Sequence, residues 1–232
     1  MPQWIEPLSW IAGIFCGIVL LSETLIKNFK KFNKKINKNK TWKVLDEAFQ
    51  GFRIGNPIDN LGGSRLEKIA REGIGNIKIS KIKLKNGNEL SITYDSIKNR
   101  IIYMEIDWNQ NKSGEKTGIN GLTFGKTTLS EIRKKYQSNG FSYKERSFIK
   151  SGDVTATFNA FELKSSPNDI IVFVTKTSEK IENEIKTNKT KKINKVGGIF
   201  TLDAIIISDE SYLDNIWGEE KIYDPISSPI RI

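Results

Sequence analysis

The chain contains no histidine and only one cysteine, Cys16. The absence of histidine removes the commonest general base, a frequent metal ligand and the side chain that titrates near neutral pH. Cys16 lies inside an apolar run, so we expect neither a disulfide framework nor a cysteine zinc site. The sequence therefore predicts no catalytic, cofactor-binding or metal-binding residues. An enzyme built on it would depend on Asp, Glu, Lys, Ser or Tyr alone.

Positive charge is in excess, but it is distributed unevenly. The 232 residues include 37 Lys and Arg against 27 Asp and Glu, for a net charge of +10. From residue 199 onward, seven acidic residues face two basic ones, a net of −5. A basic excess can indicate nucleic-acid binding, but much of it sits in one lysine-rich segment, and no nucleic-acid-binding motif is present. We therefore do not expect a nucleic-acid partner.

Residues 8–21, LSWIAGIFCGIVLL, form one apolar run with a single polar side chain, Ser9. Extended to residue 26 the run holds one charge, Glu23, and reaches about 28 Å as a helix, close to the thickness of a bilayer core. The alternatives are a buried core helix and a secretory signal peptide. A core helix would usually have a polar face, and a signal peptide would have a cleavage site; the run shows neither feature. We predict a membrane anchor over residues 1–26. Its span residues are Leu8, Trp10, Ile14, Phe15, Ile18 and Leu21.

A lysine-rich segment follows the apolar run directly. Because positive residues beside a span stay on the cytoplasmic side, this segment predicts a single-pass protein, with its N-terminus outside and its C-terminal domain in the cytoplasm. The same side chains would contact the anionic headgroups of a lipid bilayer. The residues expected to set this topology are Lys27, Lys30, Lys31, Lys34 and Lys35.

Two similar units follow, one opening FRIGNPIDNL at residue 52 and the other LTFGKTTLSEI at residue 122. Each places an apolar-x-apolar-Gly pattern before a short helix and three β-like segments. In the second unit, Thr128 with Glu131 forms a predicted capping box. The predicted strands are 77–85, 89–94 and 100–107, then 141–149, 154–163 and 170–175, and finally 199–207.

The predicted fold class is α+β: an N-terminal transmembrane helix, then antiparallel sheet with short helices on one face. Whether the two units form one sheet or two is left open. The predicted segments are the anchor 1–26, a basic amphipathic stalk 27–50, a first αβββ-like unit 51–108, a polar connector 109–120, a second unit 121–177, a mobile Lys/Asn-rich loop 178–198, and a final strand, short helix and acidic tail 199–232.

Two sequence patterns resemble ligand-binding sites, but neither has the spacing that its site requires. Gly125-Lys126-Thr127 matches the end of a phosphate-binding loop, but Asn120 occupies the position of the required first glycine. The acids of the C-terminal segment lack the spacing of a calcium loop, and we interpret them as solvated. These acids are Asp203, Asp209, Glu210 and Asp214.

The residues Phe124-Gly125-Lys126-Thr127, followed by a short helix and a three-stranded meander, resemble the fold of the outer-membrane assembly lipoprotein BamE. The tandem arrangement over residues 50–176 resembles the β-lactamase inhibitor protein BLIP. The resemblance implies an α+β binding scaffold and carries over no site residues. The chain has no lipoprotein cysteine box, which departs from the first family.

These observations predict a membrane-anchored, non-catalytic binding or accessory protein of bacterial or phage type, with an immunity, exclusion or assembly role and a protein partner. The alternative is a membrane-proximal enzyme or sensor domain that uses carboxylates.

Overall fold

The computed structural model describes residues 42–58, 67–110, 114–178 and 200–232. Antiparallel strands dominate these ranges. The strands are β1 (Glu67–Ile74), β2 (Ile77–Lys83), β3 (Glu89–Asp95), β4 (Arg100–Asp107), β5 (Glu115–Lys116), β6 (Thr123–Phe124), β7 (Phe141–Tyr143), β8 (Phe148–Ser151), β9 (Val154–Leu163), β10 (Ser166–Ser178), β11 (Thr201–Asp209) and β12 (Lys221–Tyr223). The helices are a helical turn at 42–45, α1 (Leu129–Tyr136), a 3₁₀ turn (Lys144–Arg146) and α2 (Glu210–Trp217).

One large sheet contains ten of the strands in the described part of the chain. Its order is β1-β2-β3-β4-β11-β10-β9-β7-β12, with β8 also paired to β9 and with β5 and β6 forming a separate hairpin. The first four strands are a meander, and the Asn86-Gly87 turn between β2 and β3 has Gly87 at a φ of 89°. The meander joins the rest of the sheet where β4 pairs with β11. Strands from both sequence-predicted units therefore lie in a single sheet.

One face of this sheet is apolar across its central strands. Leu90, Ile106 and Ile205 lie side by side in register, and Ile92, Met104 and Ile207 form the next row. The helical turn at 42–45 and α1 cover this face. Each large side chain buried in this way contributes about 1.5–3 kcal/mol. The covering residues include Trp42, Leu45, Phe49, Ile132 and the half-buried Tyr136.

The opposite face is apolar on β7, β9, β10 and β11. There Phe158, Val172, Val174 and Ile206 pack under α2, which contributes Leu213 and Trp217. Lys221 of β12 fastens this helix: its ammonium group pairs with Glu210 and lies 3.2 Å from Asp214.

Helix α1 begins as the sequence predicts. The Thr128 side chain accepts a hydrogen bond from the Glu131 amide, and the Glu131 carboxylate accepts one from the Thr128 amide at 2.7 Å. This reciprocal pair satisfies two amides that the first helical turn would otherwise leave unpaired. The predicted capping box is confirmed.

The predicted fold class is wrong in three respects. The described chain is mainly antiparallel sheet, and α1 and α2 pack on opposite faces rather than on one. In addition, no helix among the described residues is long and apolar enough to cross a membrane. This finding contradicts the predicted single-pass topology and the cytoplasmic location deduced from it.

Several sequence predictions fall on residues outside the described ranges. They include most of the predicted loop 178–198. They also include most of the short helix predicted for the first unit, after Pro57. They also include the predicted span residues Leu8, Trp10, Ile14, Phe15, Ile18 and Leu21 and the topology residues Lys27, Lys30, Lys31, Lys34 and Lys35.

Within the described ranges, the predicted strand 141–149 is interrupted by the 3₁₀ turn, and the tail contains the unpredicted strand β12. The end of the segment predicted as a stalk also differs from the prediction. Trp42, Leu45 and Phe49 are buried in the core.

Substitution of Gly125 tests how tightly the core packs around this residue. A Cβ atom there would lie 2.4 Å from the Trp108 ring, and Gly125 has a φ of +66°. We expect Gly125→Ala to lower the free energy of unfolding by about 3–4 kcal/mol, because left-handed strain and overpacking add. The matched control is Gly152→Ala: φ is +58° there, but no atom lies within 4 Å of the new Cβ. Its expected loss is about 1–2 kcal/mol. Urea denaturation measures both losses. If the two variants lose the same free energy of unfolding, the contact with Trp108 does not determine the effect of Gly125→Ala.

Candidate functional site

The face of the sheet beneath α2 changes from apolar to polar at the boundary between β11 and β4. Residues that are directly paired across antiparallel strands share a face. On this face Glu89 pairs with Asp107, and Ser91 with Glu105, while the next strand places Ala204 and Ile206 beside them. Helix α2 covers the apolar half, and the polar half lies on β2, β3 and β4.

Four carboxylates come together on and beside the polar half; we call Glu89, Glu105, Asp107 and Asp203 the acidic cluster. Glu89 and Asp107 face each other on β3 and β4, and Glu105 is two residues from Asp107 on the same side of β4. Asp203 is the extra residue of a β-bulge, since Val174 pairs with Ala204 and Thr175 pairs with Leu202. Such a bulge redirects one side chain, and here it adds a fourth carboxylate to the cluster.

Two lysines neutralise part of this charge. The Lys81 ammonium lies 2.9 Å from Glu89, and the Lys176 ammonium pairs with the buried Asp203. Tyr103 donates a 2.7 Å hydrogen bond to Glu105. In the described part of the chain, no lysine or arginine forms an ion pair with Glu105 or Asp107.

Burial and like charge shift the titration of these two half-buried acids. Burial raises the pKa of Glu105, and the hydrogen bond from Tyr103 opposes that rise. Burial, followed by the charges of Glu105, Glu89 and Asp203, raises the pKa of Asp107 to about 7, and Lys176 only partly opposes this. Asp107 is therefore about half protonated at neutral pH.

A cleft of about 490 Å³ lies farther along β4, between that strand and α2. Tyr212 lines it and also contacts Tyr103 edge to face, with ring centroids 5.9 Å apart, so it connects the cleft to the acidic cluster. A second bulge residue, Ile102, forms part of the floor, and the Ser208 hydroxyl donates to its carbonyl oxygen at 3.0 Å. The charged residues of the lining are Asp95, Arg100, Asp209, Asp214 and Glu219.

The acids of the cleft are partly occupied by structural contacts. Asp95 accepts hydrogen bonds from the amides of Ile97 and Lys98, each at 3.0 Å, and the bond from Lys98 is the main reason its pKa is lowered. Asp209 caps α2 through the Ser211 amide. The cleft therefore adds negative charge to the site, while part of its lining also holds the fold together.

The interpretation of the C-terminal acids as solvated is wrong for Asp203, and the other three also make structural contacts. Asp203 is buried with Lys176, and Glu210 and Asp214 both contact Lys221. Asp209 caps a helix. The sequence contained one relevant signal, the alternation of Tyr103, Glu105 and Asp107 with Met104 and Ile106 along β4. This alternation predicts a strand with one apolar and one acidic face, but it does not identify the strands beside it.

The residues Gly125-Lys126-Thr127 have a structural role. Gly125 leaves room for Trp108, which stacks on Phe124 with ring centroids 6.4 Å apart. The Thr127 hydroxyl accepts a hydrogen bond from the Thr123 amide at 2.8 Å. These contacts explain why a glycine and a threonine occur at positions 125 and 127, and the explanation needs no bound phosphate.

No group of three or more acids or thiols suited to a metal ion occurs in the described ranges. When ionised, the carboxylates of the acidic cluster are hydrogen-bond and ion-pair acceptors.

Comparison with known protein families, with curated proteins and with solved structures finds no match for this chain. The resemblance to the BamE and BLIP folds stays a prediction.

The raised pKa of Asp107 gives a prediction for stability. The folded state keeps this proton up to pH 7, whereas the unfolded chain releases it near pH 4, so the free energy of unfolding falls as pH rises from 4 to 7. Asp107→Asn removes that decline. We expect the variant to match the wild type at pH 4 and to exceed it by about 1–2 kcal/mol at pH 8, allowing for solvent screening.

Urea denaturation across this pH range measures the difference. Asp153→Asn, a change at an exposed turn, is the control and should leave the wild-type pH profile in place. If Asp107→Asn and wild-type protein show parallel profiles, Asp107 does not hold a proton at neutral pH.

Proposed function

We propose that this protein is a non-catalytic binding protein whose acidic cluster receives a cationic, extended segment of a protein partner. The observation that carries the proposal is that Glu105 and Asp107, on the polar half of the sheet, form no ion pair with a lysine or arginine of the described residues. Of the other two carboxylates, Glu89 pairs with Lys81 and is also faced by Lys83, and Asp203 pairs with Lys176. Glu105 and Asp107 remain as acceptors for a cation that the partner supplies.

The chemistry of the surface favours this class of partner over two others. Half-buried carboxylates that lack an ion pair, as Glu105 and Asp107 do among the described residues, attract lysine and arginine side chains, since charge pairs strengthen where water is partly excluded. The same cluster repels phosphates, and therefore disfavours nucleic acid and anionic headgroups at this face. The bilayer contact predicted for Lys27 to Lys35 concerns residues outside the described ranges.

The dimensions of the surface support an extended segment. From Asp107 to Ile102 the site follows β4 for about 17 Å, at about 3.3 Å per residue. An extended chain of five or six residues has that length. Alternate side chains of such a chain point the same way, so every second residue would face the acids. Immunity, exclusion and assembly proteins all act by binding, and a site of this kind is compatible with each.

The enzymatic alternative has one specific observation in its favour. A carboxyl with a pKa of about 7, as Asp107 has, is suited to act as a general acid or base at neutral pH. Glu105 and Asp107 would then be the candidate pair. The two functions differ in what happens to the bound molecule, because an enzyme changes its mass and a binding protein returns it intact.

Binding to a synthetic peptide tests the proposal. The probe is an end-capped hexapeptide of alternating arginine and serine, and its control replaces each arginine with glutamate. We expect micromolar to millimolar affinity for the basic peptide and none for the acidic one. Raising the salt from about 0.05 M to 0.5 M should weaken binding, because salt screens exposed charge. Mass spectrometry of the recovered peptide distinguishes binding from turnover.

The variants identify the surface. Glu105→Gln together with Asp107→Asn should raise the Kd about tenfold, equivalent to about 1.4 kcal/mol. Asp153→Asn changes net charge at an exposed turn outside the acidic cluster and should alter the Kd by less than about twofold. If all three proteins bind the basic peptide equally, the acidic cluster is not the binding surface.

A further inference from the structure

We propose that a pocket on the side of the sheet opposite α2 binds an organic phosphate monoester, whose phosphate contacts lysines and whose organic group lies on an apolar floor. The pocket has a volume of about 520 Å³, which is within the range of small-molecule sites. It lies between the helical turn at 42–45 and the loop 117–122 that connects β5 with β6. The inference goes beyond the proposed function and does not depend on it, because the acidic cluster lies on the other face of the sheet.

Close backbone packing holds the two walls of the pocket together. A Cβ atom at Gly118 would lie 2.6 Å from the backbone nitrogen of Ala48, so the loop packs directly on the chain that follows the helical turn. Gly118 has a φ of +84°, a conformation that glycine adopts without strain. The Thr117 hydroxyl accepts a hydrogen bond from the Ile119 amide at 3.0 Å and donates one to the Leu122 carbonyl oxygen at 3.1 Å. These contacts fix the shape of the loop, and therefore that of the pocket.

Three lysines bring positive charge to the pocket. Lys43 and Lys116 line it, and the Lys135 ammonium lies 3.2 Å from the place that a Cβ atom would take on the lining residue Gly121. None of these lysines forms an ion pair with another described residue. Among the described lining residues Glu47 is the one acid, and three lysines against one glutamate leave a charge of +2. A phosphate monoester carries a charge of about −1.5 to −2 at pH 7 and so complements the pocket.

The loop also offers backbone donors beside these lysines. The amides of Gly118, Asn120 and Gly121 donate no hydrogen bond to a described residue. Amides and ammonium groups both form charge-assisted hydrogen bonds with phosphate oxygens. A ligand with a phosphate and an apolar group would contact both parts of the pocket, whereas inorganic phosphate would contact only the charged part. The apolar part of the lining consists of Val44, Ile119 and Leu122.

Titration with phenyl phosphate tests the proposal, with amide chemical shifts of the ¹⁵N-labelled full chain as the readout. We expect the amides of Gly118 and Gly121 to shift, with a Kd of about 1 mM or tighter. Phenol and inorganic phosphate each contain one part of this ligand. Each should bind at least about tenfold more weakly, because each loses the contacts of the other part.

Three variants assign the binding to the pocket. Lys43→Gln together with Lys116→Gln should raise the Kd for phenyl phosphate about tenfold, since both changes remove cations that pair with the phosphate. Glu47→Gln should lower the Kd about threefold, because it removes a carboxylate that repels the ligand. Tighter binding cannot result from a misfolded pocket. The control is Lys164→Gln, at an exposed position outside the pocket, and it should change the Kd by less than about twofold.

Three results would overturn the proposal. The first is the absence of shifts at Gly118 and Gly121. The second is equal affinity for phenol and phenyl phosphate, because the lysines would then not recognise the phosphate. The third is a Kd that is the same in the wild type, the double lysine variant and Glu47→Gln.

Sedimentation with phosphatidylcholine vesicles, with and without phosphatidic acid, identifies the source of the phosphate. If phosphatidic acid carries down the wild type and not the double lysine variant, the pocket binds a lipid headgroup. If the two proteins sediment equally while phenyl phosphate distinguishes them, the ligand is a soluble ester.

Discussion

The pairing of β4 with β11 is the contact on which the rest of the structure depends. It joins the β1–β4 meander to the strands β11, β10, β9, β7 and β12, across about 100 residues of sequence. On one face it places Ile106 beside Ile205 and Met104 beside Ile207. On the other it brings Asp107 and the bulged Asp203 into one cluster. The same few backbone hydrogen bonds therefore create both the core and the candidate site.

The two halves of the face beneath α2 explain why the site is acidic and only half buried. Helix α2 needs an apolar floor, which β9, β10 and β11 provide, and it is fastened there by Lys221. The remaining strands of that face carry polar side chains, and the helix reaches them through the contact of Tyr212 with Tyr103. A carboxylate in such a place is partly desolvated yet still reachable, and this combination raises the pKa of Asp107 and leaves it open to a cationic group.

Local patterns in the sequence predicted local structure well. The bounds of β4 and β9 agree with the predicted 100–107 and 154–163, since the residues of each segment suit a strand on their own. The capping box at Thr128 was equally local. What could not be predicted depends on distant partners: β12 is a strand only because β7 lies beside it, and Asp203 joins Asp107 only through β11. The apolar run at residues 8–21 suggested a membrane topology that the structure contradicts.

Mapping the polar half of the sheet in solution tests whether this surface binds cationic segments. Amide chemical shifts of the ¹⁵N-labelled protein, followed during titration with a basic peptide, report which strands respond. We expect the largest changes to fall on Ser91, Glu105 and Asp107 and to extend toward Tyr212. Changes confined to the far edge of the sheet, around β12, with β3 and β4 unaffected, would contradict it.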